Sequence, residues 1–248
     1  MEPEINPPPR AIPAEVLDWD SQFFGFKVGR AFDHRLSRES AASLLAWGRL
    51  NGLRCLYLSA DPTCPQTLHL AHVAQFKFVD LKLDFEIRRS EMRPPPEQAS
   101  FKKVTDRDLP ALARIARESH LETRFFMDSN FPSIRAADLY EAWIRRDHAQ
   151  HHVFSISDST GSPPMNYITC QLDRDALEGR IGLLAVANEA RGRGLGQALV
   201  QAALDWFWKQ GCHCVRVATQ GANVAAQRLY QKEGFRTASA LLQYHRWF

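Results

Sequence analysis

Residues 191–196 read Arg-Gly-Arg-Gly-Leu-Gly. Alternating glycines let a backbone turn sharply and bring its N–H groups up to a ligand. The run falls where a strand should hand over to a helix. Upstream, Ile181 to Val186 is apolar and strand-length; downstream, Ala198, Leu199, Ala202, Ala203 and Phe207 recur at helical spacing. The positive end of that helix points at the same spot. Together they predict an anion site, most naturally for a diphosphate, on Arg191, Gly192, Arg193, Gly194, Leu195 and Gly196. Two other phosphate loops are excluded by spacing. Position 197 is Gln, so the run is not G-x-G-x-x-G, and no Gly-Lys-Ser/Thr follows.

The elements around this loop are readable in turn. Past Lys209-Gln210-Gly211, Cys214 to Thr219 alternates like a strand, and Asn223, Ala226, Tyr230 and Gly234-Phe235 follow. Phe101 to Val104 predicts a short strand. Thr105-Asp106-Arg107-Asp108 then starts a helix, capped by Thr105 or Asp106, with Leu109, Leu112, Ile115 and Ala116 on one face. Three prolines in Arg93 to Gln98 form a stiff linker. They divide a first αβ domain, residues 1–95, from a second, residues 100–248. Inside the first domain Arg54 to Ser59 reads as a strand, Thr63 to Ala74 as a helix, and Leu81 to Ile87 as a strand. Gln75-Phe76-Lys77-Phe78 lies where the second domain has Glu233-Gly234-Phe235-Arg236. This echo suggests a degenerate copy of the second half, without a glycine loop and so without a diphosphate site.

Composition sets outer limits. The 248 residues, 45% hydrophobic and 24% charged, allow one large domain or two small ones. A net charge of +3, with both signs interspersed, is too mild to make nucleic acid the main partner. Cys55, Cys64, Cys170, Cys212 and Cys214 are odd in number and scattered. They read as reduced thiols of a cytoplasmic protein, and Cys212-x-Cys214 lacks a second pair at metal-ligand spacing, so no metal is expected. No apolar run approaches a membrane span, so no membrane insertion is expected. Met1 to Pro13 is proline-rich with acids, which predicts disorder rather than a signal peptide.

The order V-x-x-x-x-R-G-x-G-L-G, helix, strand, N-x-x-A-x-x-x-Y-x-x-x-G-F, from Val186 to Phe235, resembles the GCN5-related N-acetyltransferase superfamily. The resemblance implies an α/β (α+β) fold. Its sheet is mixed and mostly antiparallel, with two splayed parallel strands and flanking helices, here preceded by a smaller αβ domain. It implies acetyl-CoA as co-substrate. The pantetheine arm would lie along Leu184, Ala185 and Val186, with an N–H near Leu184 polarising the thioester carbonyl. Tyr230 becomes the general acid for the departing thiolate. Asn223 is expected to meet the pantetheine or a water beside it, and Arg228 a phosphate. A base is not assigned; Glu122, His120, His148 and no side chain at all stay open.

Five further segments are similar to the TDP-fucosamine (dTDP-4-amino-4,6-dideoxygalactose) acetyltransferase family: Leu17 to Arg30, Thr123 to Asp128, Leu139 to Ile144, Arg180 to Ala185, and Arg216 to Gln220. This resemblance implies acetylation of the 4-amino group of a nucleotide-linked dideoxy sugar. The partners expected are that nucleotide-sugar and, as a homodimer, a second copy of the chain. Phe24 and Arg124 are carried as acceptor contacts. Trp19, Phe23 and Phe26 are expected in the core, and Tyr140, Trp143 and Ile144 on a packed helix face. The alternatives are an acceptor such as a protein N-terminus, a polyamine or an aminoglycoside, and a non-catalytic acyl-CoA-binding module.

Overall fold

The computed structural model describes residues 13–91, 101–156 and 162–248. The proline-rich N-terminus to residue 12 and the linker prolines lie outside them. The chain forms two compact units: residues up to Leu81 together with Ala240–Phe248, and Lys82–Ser239. This division differs from one at residues 90–100. The prolines follow the end of a strand, whereas the units separate within strands, where the pairing partner changes.

In the second unit the elements are β4 (Lys77–Arg88, from Lys82 on), β5 (Phe101–Lys103), α4 (Leu109–Ser119), α5 (Arg124–Met127), α6 (Ser133–Gln150), β6 (His152–Ile156), β7 (Asn166–Asp173), β8 (Glu178–Val186), α7 (Leu195–Lys209), β9 (Cys214–Gln220), α8 (Val224–Lys232) and the start of β10 (Arg236–Trp247). Strand pairing runs β4-β9-β8-β7-β6-β5, and only β8 and β9 are parallel. Helices α4 and α6 cover one face over Leu112, Ile115, Tyr140, Ile144 and Tyr167. Helices α7 and α8 cover the other over Leu199, Ala203, Phe207, Ile181 and Phe235. The α7 periodicity is what the sequence predicts: Leu199, Val200, Ala203, Leu204 and Phe207 are all buried, each large side chain contributing roughly 1.5–3 kcal/mol. Thr105 closes a capping box with Asp108, their side chains and backbone N–H groups exchanging hydrogen bonds ahead of α4.

Two irregularities in β8 matter. Its pairing with β7 shifts register between Ile168 and Cys170, opposite Ile181 to Leu184, which is a bulge. Its parallel pairing with β9 stops at Ile181 and Val217, although β8 runs on to Val186 and β9 to Gln220. The two parallel strands therefore splay.

The first unit holds β1 (Ala14–Val16), α1 (Asp18–Phe24), β2 (Val28–Ala31), α2 (Arg38–Leu50), β3 (Cys55–Ala60), α3 (Pro65–Val73) and the outer parts of β4 and β10. Here β2 pairs antiparallel with β1 and parallel with β3, and β3 pairs antiparallel with Leu242–Trp247. Its core gathers Leu44, Leu53, Leu56, Leu58, Ala71 and Phe76.

Candidate active site

Gly194 is the N-cap of α7, with φ of +76° and no side chain to bond the first-turn N–H groups. An L side chain is strained at that φ. The result is a fifteen-residue helix whose N-terminal donors are left for a ligand. Arg191 Nε donates to the Val186 carbonyl at 3.1 Å, and Arg193 Nη2 to the Glu189 carbonyl at 3.1 Å. Both arginines thus pin the loop against its own approach while remaining exposed. Leu195 and Gly196 form the first turn of α7; a Cβ on Gly196 would only touch Leu229, at 3.4 Å.

Beyond Ile181 the β9-facing edge of β8 has no strand partner among the described residues. An extended amide-bearing arm needs such an edge, and Leu184, Ala185 and Val186 border it. Leu184 packs towards the α7 side, Ala185 towards α4 and α6, and Val186 touches both clusters. The Leu183 N–H is already committed, donating to Thr169 Oγ1 at 2.8 Å. These features fit a diphosphate carrying an extended acyl arm.

Tyr230 is buried on the α7 side, its ring centroid 6.1 Å from Phe85 and 5.7 Å from Phe235. Burial pushes its phenol well above the usual value, so it is protonated at neutral pH. Among the described residues its hydroxyl has no hydrogen-bond partner. Asn223 caps α8, its Oδ1 accepting from the Ala226 N–H at 3.1 Å. That bond leaves its Nδ2 donors and the second lone pair of Oδ1 for a ligand. Arg228 is exposed on α8 and has no ion-pair partner among the described residues.

The three candidate bases separate. His148 bonds Asp106 at 2.9 Å on the surface, and Glu122 is exposed. His120 is inside the α4–α6 layer, its Nε2 3.0 Å from the Tyr167 hydroxyl and its ring stacked on Tyr140 at 4.7 Å. Burial first, and the Arg191 charge second, hold it neutral, down at about 4. Phe24 and Arg124 lie in different units. Phe24 belongs to a ladder of half-exposed rings, Trp19, Phe23, Phe24, Phe26 and Trp247, with centroids 5.0–5.8 Å apart. No residue of α1 is fully buried, so Trp19 and Phe23 are not core. Arg124 lies over Phe125 at 4.8 Å. Tyr140 and Ile144 are buried on α6 as expected.

One polar group at the bulge escapes a reading by motif. A Cβ at Gly182 would stand 2.6 Å from Thr169 Oγ1 and 3.4 Å from both Asp147 Oδ2 and Gln171 Nε2. Asp147 and Thr169 are both buried. The signal for Asp147 is its helical spacing: it shares the α6 face with Tyr140 and Ile144, an acid on an apolar stripe.

A strand splayed from its parallel neighbour and followed by a glycine-capped helix can hold a diphosphate with an extended arm. The pattern of the acetyltransferase (GNAT) family matches residues 112–235. The dTDP-fucosamine acetyltransferase of Escherichia coli O6:H1 is 31% identical over 227 residues, 89% of this chain and 92% of that protein. The N-alpha-acetyltransferase 30 of Saccharomyces cerevisiae is 31% identical over 96 residues, 37% of this chain and 54% of that protein. The crystal structure of a GCN5-related N-acetyltransferase from Sphaerobacter thermophilus superposes with a TM-score of 0.64 at 17% identity, covering 94% of this chain and 76% of that one. The chain belongs to the GNAT family and is an acetyl-CoA-dependent N-acetyltransferase.

Proposed function

We propose that this enzyme acetylates the 4-amino group of a nucleotide-linked (dTDP) amino-dideoxy sugar. The observation that carries the reading is the length of the likeness to the Escherichia coli relative, which takes in 89% of this chain. The likeness to the yeast N-alpha-acetyltransferase stops at 37% of it. A protein N-terminus as acceptor is therefore the weaker reading.

In this reading the α7 N-terminus and Gly194 hold the donor's diphosphate, and the free edge of β8 holds its arm. With the Leu183 N–H committed to Thr169, Leu184 is the donor assigned to the thioester carbonyl. The acceptor nitrogen bonds to the carbonyl carbon as the C–S bond breaks. The sulfur leaves with the electron pair and takes the Tyr230 proton, while the nitrogen gives up its own proton to water. A protonated phenol can donate to a thiolate of pKa near 8.5, taking the thiol as similar to cysteine's.

The test is mass spectrometry of full-length protein with acetyl-CoA and one acceptor at a time: a dTDP-4-amino-4,6-dideoxy sugar, a peptide with a free N-terminus, a polyamine and an aminoglycoside. The dTDP-sugar should turn over with the highest kcat/KM. Preference for any other acceptor contradicts the reading.

A further inference from the structure

A cavity of about 600 Å³ opens in the second unit, lined by residues that include His151, Gln171, Arg174, Glu178, Arg180 and Arg216. That volume is in the range of small-molecule sites. Its place on the sheet is fixed by two glycines. A Cβ on Gly179 would strike Phe207 of α7, at 2.5 Å, so Gly179 faces the α7 layer. Side chains alternate along a strand, so Arg180 faces away from α7, on the side of Gly182 and Asp147. Tyr230 lies in the α7 layer. The cavity and the proposed acid thus flank β8 from opposite faces.

Strand register lines up the floor. Gln171 stands opposite Arg180, and Arg180 opposite Arg216, so the three side chains share one face in a row across β7, β8 and β9. Gln171 also reaches Gly182 at the bulge. Arg180 is four residues, about 13 Å, along the strand from Leu184. A sugar ring and the phosphate on it can bridge that span.

The charges in the cavity are not equivalent. Arg216 is braced between Glu178 and Glu86. Asp173 accepts the N–H groups of Asp175 and Ala176 and so closes the β7–β8 turn. Among the described residues Arg174 and Arg180 have no carboxylate in ion-pair reach. Two cations with fork-shaped donors therefore line the cavity outside any ion pair, alongside the Asp175 carboxylate, and their forks suit phosphate oxygens.

We propose that this cavity is the acceptor's anion subsite: Arg180, helped by Arg174, holds the diphosphate of a nucleoside-diphosphate sugar while its amine reaches the bulge beside Gln171 and Gly182. The inference rests on the substrate reading above, and the experiment separates the two. Thymidine diphosphate is titrated by calorimetry into full-length protein saturated with coenzyme A, which occupies the loop at Gly194. It should bind, and Arg180→Gln should weaken it about ten- to a hundredfold, the range for a lost charged hydrogen bond. Arg174→Gln should weaken it less. Affinity for acetyl-CoA should not change in either variant, and this also reports that both fold. No binding to the wild type, or equal binding by Arg180→Gln, overturns the subsite. Arg180-dependent binding in a protein that acetylates no nucleotide-linked sugar upholds the subsite and overturns the substrate reading.

Discussion

Two stretches of this chain build nearly the same frame and arm it differently. The first runs β2, α2, β3, α3, β4; the second runs β8, α7, β9, α8, β10. In both, two parallel strands are joined through a helix. In both, a nine-residue helix follows and ends alike. The Phe76 N–H bonds the Ala71 carbonyl at 2.8 Å, as the Phe235 N–H bonds Tyr230 at 3.0 Å. The left-handed residue before each is Gln75, φ +58°, and Gly234, φ +92°. Twelve-residue strands close both.

The chemistry differs at matched places. Ala71 stands where Tyr230 does. Cys64 caps α3 where Asn223 caps α8. Helix α2 is closed by its own side chains: Ser37 Oγ accepts from the Ser40 N–H at 3.1 Å, and Ser40 Oγ from the Ser37 N–H at 2.9 Å. Helix α7 is capped by Gly194 and has no such bond. A helix end is an anion site only while its donors stay unspent. The comparison teaches that one frame is built twice, with the helix-end donors spent on side chains in one stretch and left unspent in the other.

The comparison can be broken most forcefully at Tyr230. Tyr230→Phe keeps the ring and removes the proton, so kcat should fall roughly 10²- to 10⁴-fold, with little change in the acetyl-CoA KM. Cys64→Asn, which copies the second cap into the first stretch, should leave kcat within about twofold. Steady-state kinetics with a thiol-detecting reagent reads both. If Tyr230→Phe is as active as wild type, the tyrosine only packs, as Ala71 does.

A smaller effect lies outside both stretches, in the α4–α6 layer. His120 takes a proton near 6.5 when unfolded and near 4 when folded. Between those values the unfolded state binds the extra proton. Stability is therefore lost as pH falls from 6.5 towards 4, at up to about 1.4 kcal/mol per unit, and levels off below. Denaturant melts at pH 7.5 and 5.5 should show His120→Gln losing less than wild type over that interval. Equal losses would mean that His120 is not held neutral.

The smallest effect sharpens the match between the two turns. Gln75→Gly should stabilise by about 1 kcal/mol, because a left-handed φ costs a side chain that much. Gly234→Ala should cost about the same. Opposite signs in urea melts support equivalent turns; equal signs contradict it.

The glycine loop, the helix behind it and the strand, helix and tyrosine beyond were legible because each has a local signal, whether spacing, a cap or a turn. The strand at Cys55–Ala60 and helix at Pro65–Val73 were legible for the same reason. The pairing of β4 with β9 and of β10 with β3 was not, because long-range register leaves no trace in a single strand's pattern. The polar group at Gly182 was hidden too. Thr169 and Gln171 come from β7 and Asp147 from α6, and only the bulge brings all three up to Gly182. The ring ladder of α1 read as core because aromatic residues usually are core; here the rings stack on one another and stay partly exposed.

The central claim is that one stretch binds the acyl donor and the other does not. Calorimetric titration of acetyl-CoA into full-length protein tests it directly, with Gly194→Val and Ser37→Gly alongside. The account predicts one acetyl-CoA per chain. Gly194→Val should lose about tenfold or more in affinity, since it strains the loop and blocks its approach to a ligand. Ser37→Gly should bind like wild type. Two acetyl-CoA molecules per chain, or undiminished binding by a folded Gly194→Val protein, would contradict it.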